Sequence, residues 1–218
     1  MSLVLAIETS SPAHTVAVGD GDSPAAQRSA RREDPGFAGL GDLTAQLLAA
    51  AGAAFSDIGT IAVDIGPGGL SSIRSAVAYA NGLAFSLGVP VFPISSLELM
   101  AIDAQLGQPG PVLCLKRAQG GNLYAGLFDG GETLELRHGR PDSVLPAIAA
   151  GLPTLRVAGG IGFDLPALLP GVAIVDTGIA DADVTILYRA ARGAIEGPDR
   201  LVDAADALNE GSLVFHKY

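Results

Sequence analysis

The chain has 218 residues, 49% of them hydrophobic and only 5% aromatic, and carries a net charge of −10. That length holds one large domain or two small ones with a core of small aliphatic side chains, and the acidity weighs against nonspecific binding to a nucleic-acid backbone. The lone cysteine, Cys114, excludes a disulfide framework and reads as a small hydrophobe in a strand, within the apolar run Val112 to Leu115.

Leu3 to Glu8 is an apolar run that predicts a buried strand, and after the turn Thr9 to Ala13 a second strand is expected from His14 to Gly19. Gly21 to Pro24 supplies turn residues, so the two read as a hairpin, with Gln27 to Arg32 as a candidate third strand. Asp42 to Ala51 has apolar residues at helical spacing and Gly52 just past its end. Ile61 to Ile65 predicts a strand that enters the turn Gly66-Pro67-Gly68-Gly69, and a helix rich in small residues (Ala76, Ala78, Ala80, Gly82, Ala84) follows at once. Val89 to Ile94 is another strand, and Ser95-Ser96-Leu97-Glu98 has the order of a capping box opening a helix through about Gln105.

Gln108 to Pro111 is a proline- and glycine-bearing break, which places a domain boundary between 107 and 108. Beyond it, Pro111 to Leu115 and Leu123 to Asp129 form a hairpin about Gly120-Gly121, Glu132 to Arg137 is a third strand, and Pro141 to Ala150 a helix. Strands are expected at Thr154 to Ala158 and Val172 to Asp176, and an extended tail at Leu213 to Phe215. Asp183 to Glu196 is a helix with Val184, Leu187, Tyr188, Ala191 and Ile195 on one face, expected to pack back on the first domain. The second half opens as the first does, so two α/β domains, 1–107 and 108–218, arise by duplication, the second copy shortened.

The strand–turn–helix segment delivers free backbone N–H groups to the end of a strand, where an anion or a partner can meet them. Two phosphate-loop readings fail there. A Walker A loop needs Gly-Lys-Ser/Thr, whereas Leu70, Ser71 and Ser72 follow the glycines. A dinucleotide fingerprint needs three spaced glycines, and here Ser71 stands in the last place while Pro67 removes a donor. Ser71 and Ser72 read as helix caps, with no base in view to make either a nucleophile. His14, His138 and His216 lack a partner at i+4, so no helix-borne metal pair is expected. Arginine clusters such as Arg28, Arg31 and Arg32 read as solvated faces. With no secretory start and no apolar run approaching the roughly 18 residues of a membrane span, a cytoplasmic protein without a membrane role is expected.

Leu5-Ala6-Ile7-Glu8-Thr9-Ser10, the Gly66-Pro67-Gly68 turn with Arg74 in the next helix, and Pro93-Ile94-Ser95-Ser96-Leu97 resemble the TsaB (YeaZ) family, most strongly over residues 1–105. Glu8 stands where that family has aspartate, and its usual histidine before the first long helix has no counterpart between Asp34 and Leu48. The resemblance implies the duplicated actin-like, sugar-kinase-like (ASKHA) fold and a non-catalytic role in making threonylcarbamoyladenosine next to the tRNA anticodon. It implies a TsaD-like catalytic partner, a TsaE-like ATPase, a homodimer when alone, and contact with tRNA only through the partner. No cofactor is expected on this chain alone, with ATP and Mg entering in the complex. The expected partner or dimer face is Leu70, Ile73, Arg74, Ala76, Val77, Ala80 and Leu83, and the resemblance sets Glu8, Thr9, Gly66 and Gly68 near any nucleotide. The competing expectation is an independent ATP-binding phosphotransferase or ATPase of the same fold.

Overall fold

A computed structural model describes residues 2–159, 162–197 and 200–208. The expected tail strand at 213–215 and His216 lie outside those residues. Two compact units result: the first holds Met1–Ser95 and Asp183–Ala207, the second Ser96–Ala182.

In the first unit, β1 (Leu3–Glu8), β2 (His14–Gly19) and β3 (Ala26–Ala30) form an antiparallel meander. β4 (Ile58–Asp64) and β5 (Val91–Ile94) then add in parallel beside β1, giving the order β3-β2-β1-β4-β5. Central strands buried on both faces must be apolar throughout, and Val4 to Ile7 and Ile61 to Val63 are each fully buried. Successive residues point to opposite faces. Leu5 and Ile7 pack with α1 (Leu40–Ala51) and α2 (Leu70–Leu87). The other face is covered by α6 (Val184–Glu196), whose Leu187, Tyr188 and Ala191 are fully buried against this sheet. Gly52 and Gly88 end α1 and α2 in the left-handed conformation, at φ 67° and 68°.

The second unit repeats the plan. β6 (Val112–Arg117), β7 (Leu123–Asp129) and β8 (Glu132–Gly139) are antiparallel, and β9 (Thr154–Gly159) and β10 (Ala173–Asp176) add in parallel, in the order β10-β9-β6-β7-β8. Leu113, Leu115, Leu145, Leu155 and Val157 form its core under α4 (Pro141–Ile148) and α5 (Leu165–Leu168). The two meanders and their parallel extensions match strand for strand, which is the duplication expected from the sequence. All five strands are present in the second copy. Its shortening lies in the helices: α4 and α5 have 8 and 4 residues, against 12 and 18 in α1 and α2.

One boundary differs from expectation. α3 (Ser96–Gly107) packs on β6, β7 and β9, so the division falls at Ser95/Ser96 and not at 107/108. The proline-bearing break that marked the expected boundary merely ends α3. Each fifth strand is thus followed by a helix that belongs to the other unit, α3 after β5 and α6 after β10.

Candidate functional site

Parallel pairing of β1 with β4, through Ile7 and Val63, brings two acids to adjacent strand ends, where sheets of this class present ligands. Glu8 and Asp64 are both buried there. Oε1 of Glu8 accepts the Ser10 N–H at 2.6 Å, the Ser10 hydroxyl at 2.7 Å and the Ser11 N–H at 3.0 Å. Oδ1 of Asp64 accepts the Gly66 N–H at 2.8 Å. Each carboxylate therefore fixes the turn that follows its own strand. Thr9 is buried beside Glu8.

The two turns interlock. Gly66 has φ 99°, a conformation that disfavours side chains, and is joined to Pro67 by a cis peptide bond. A Cβ on Gly68 would lie 2.7 Å from Cα of Ser10. The glycines at 66 and 68 thus serve chain reversal and backbone contact. Among the described residues no three His, Cys, Asp or Glu side chains converge as a metal-binding group.

α2 starts from Gly69, which makes no side-chain capping bond, so Ser71 and Ser72 are not the caps expected. Their hydroxyls face partners distant in sequence: Arg32 Nη1 donates to Ser71 Oγ at 3.4 Å, and His14 Nε2 lies 3.3 Å from Ser72 Oγ. The base that was out of view in the sequence is therefore His14, brought in by β2. The pair lacks the third member that makes a serine nucleophilic. Nδ1 of His14 has no hydrogen-bond partner to orient the ring, and burial together with the nearby Arg32 charge lowers its pKa, weakening it as a base.

Helix α2 splits into two stripes. Ile73, Ala76, Val77 and Ala80 turn inward and are buried in the first unit's own core, and Leu83 packs against it. Four of these expected interface residues are therefore not on the outer surface, and Leu83 is only partly buried. Leu70 and Arg74 are exposed, as a partner face requires, and the stripe they begin continues through Ala78 and Gly82 to Phe85, which is 91% exposed. Sequence reading missed Phe85; a large aromatic late in an otherwise small-residue helix was the available signal. Arg74 makes no ion pair among the described residues. The far end of α2 is tied down by Asn81, whose amide donates to the Ala205 carbonyl at 2.9 Å and accepts the Ala205 N–H at 2.8 Å.

Residues 38–146 match the family model described as TsaD: tRNA N6-adenosine threonylcarbamoyltransferase. The tRNA N6-adenosine threonylcarbamoyltransferase of Bordetella avium is 33% identical over 130 residues, 60% of this chain and 34% of that protein. The tRNA threonylcarbamoyladenosine biosynthesis protein TsaB of Bacillus subtilis is 32% identical over 92 residues, 41% of this chain and 36% of that protein. The chain thus spans about a third of the length of these curated relatives. YeaZ from Pseudomonas aeruginosa superposes with TM-score 0.70 at 27% identity, over 95% of this chain and 98% of that one. A second Pseudomonas aeruginosa structure, described as similar to peptidase YeaZ, gives 0.76 at 27% identity, over 96% and 99%. The family model covers half of the sequence, and YeaZ the described fold almost end to end. The chain belongs to the tRNA threonylcarbamoyladenosine family and is a TsaB/YeaZ-like member of it.

Proposed function

We propose that this chain is a non-catalytic subunit of tRNA threonylcarbamoyladenosine synthesis that docks on and activates a TsaD-like catalytic partner. The observation that supports the reading is the fit to YeaZ, which covers 95% of this chain and 98% of that one. The exposed stripe Leu70, Arg74, Ala78, Gly82 and Phe85 is the docking face: small residues in its middle admit a second backbone, and large ones at its ends anchor it. Alone, the same face pairs two copies. A TsaE-like ATPase and Mg-ATP act in the assembled complex, tRNA is held mainly by the partner, and the complex works in the cytoplasm.

The test is reconstitution. Purified chain mixed with its TsaD-like partner, the ATPase, ATP and an activated threonylcarbamoyl donor should restore modification of tRNA. Ala78→Glu should abolish both restoration and co-purification while leaving the fold intact. Undiminished modification by that variant would sink the docking face. Titration of the lone chain with Mg-ATP should give no heat, whereas tight binding would favour an independent phosphotransferase instead.

A further inference from the structure

A cavity of about 540 Å³ opens in the first unit between the start of α1 and Ser75 and Tyr79 of α2. It lies within the size range of small-molecule sites. We propose that it binds a small molecule through a carboxylate or phosphate head group, held between Arg32 and the N-terminus of α1. The inference stands apart from the tRNA reading and needs neither partner nor tRNA.

Charge comes first. Among the described residues no Asp or Glu lines the cavity, although the protein as a whole is acidic. The acids nearest in sequence to Arg32 are turned to its neighbour: Glu33 pairs with the Arg31 side chain at 4.0 Å, and Asp34 accepts the Arg31 N–H at 2.7 Å. Arg32 is left with the Ser71 hydroxyl and no carboxylate among the described residues. Its guanidinium remains available for a planar oxyanion.

Opposite Arg32, α1 begins at Gly39 with φ 118° and no side-chain cap. The first backbone bond into the helix is Leu43 N–H to Gly39 C=O, so the N–H groups of Leu40, Gly41 and Asp42 precede the helical ladder. Glycines at 39 and 41 leave no Cβ in front of these amides, and the helix dipole adds positive potential. Asp42, the acid of this turn, is engaged by the Gln46 amide at 2.6 Å.

Independent of the helix end, His14 forms part of the wall. It is 4% exposed, and its Nδ1 has no hydrogen-bond partner. A buried polar atom without a partner is costly, and an oxyanion in the cavity would supply one. Phe37, edge-on to the His14 ring at 5.4 Å, and Tyr79 give the molecule's body an aromatic boundary.

The full chain, labelled with nitrogen-15, is titrated by NMR with inorganic phosphate and separately with acetate, at constant ionic strength. Saturable shifts are expected at the Leu40, Gly41 and Asp42 amides, with a rise in the His14 pKa. Saturation by phosphate alone assigns a phosphate head, by acetate alone a carboxylate, and by both a general oxyanion site. Arg32→Gln should weaken binding at least tenfold. Gly41→Asp should abolish it, because its own carboxylate occupies the amides, while its Cβ meets Tyr79 only at 3.8 Å and the fold is kept. Shifts that fail to saturate with either probe, or affinities unchanged in both variants, overturn the proposal.

Discussion

Gly68 shows how a single missing side chain joins two loops. Its Cβ position lies against the Ser10 backbone, so Gly68→Ala must push two turns apart and should lose about 1–3 kcal/mol of stability, read by urea denaturation. The glycines of this turn were visible in the sequence, but their reason was not. The reason is a backbone contact created only when β1 and β4 pair side by side. His14 makes a similar point in electrostatics. Burial and Arg32 hold its pKa below the ordinary 6.5, so the fold prefers the neutral ring. Its contribution to stability is complete above about pH 6.5 and is lost as pH falls through the unfolded value toward the folded one. Unfolding free energy should therefore fall more between pH 7.5 and 5.5 in the native sequence than in His14→Gln, and parallel curves would contradict this. Cys114 is fully buried, and burial pushes its thiol well above the usual range. Iodoacetamide should leave it unmodified in the native protein and label it readily after unfolding.

Helix α2 was legible as an element, yet the sequence could not choose its outer face. Ala76, Ala78, Ala80, Gly82 and Ala84 recur at every second position. On a helix of 3.6 residues per turn that spacing sends small residues to both faces. Packing decides between them: 76, 80 and 84 lie on the core, 78 and 82 in solvent. A paired comparison follows. Ala80→Glu buries an uncompensated charge and should cost about 3–5 kcal/mol, while Ala78→Glu should stay within about 0.5 kcal/mol of the native protein. Thermal melts of the two variants separate a core stripe from a surface stripe before any partner is added. Equal melting temperatures would reverse the assignment.

At the scale of the whole molecule, the repeated meander-plus-parallel plan could be read from strand order alone, because each strand is a short apolar run closed by turn residues. The boundary could not, since α3 carries no local mark of which sheet it will cover. Its buried Leu97, Leu99 and Met100 would suit either. A fragment ending at residue 107 keeps α3 and lacks α6, leaving the Val4 and Ala6 face of the first sheet open. It should bind hydrophobic dyes and melt without a cooperative transition, and supplying residues 183–207 as a peptide should restore cooperativity.

The exchanged helices also set a clock for synthesis. The five strands of the first sheet are complete once Ile94 has been made, but the helix that closes their second face ends at Glu196. At about 5–20 residues per second, the ribosome takes roughly 5–20 s to add the intervening hundred or so residues. Through that interval the nascent sheet lacks the helix that covers its second apolar face in the finished fold. A chaperone that shields sheet surfaces during elongation therefore has a defined moment at which to act on this protein, and release is timed by the emergence of α6.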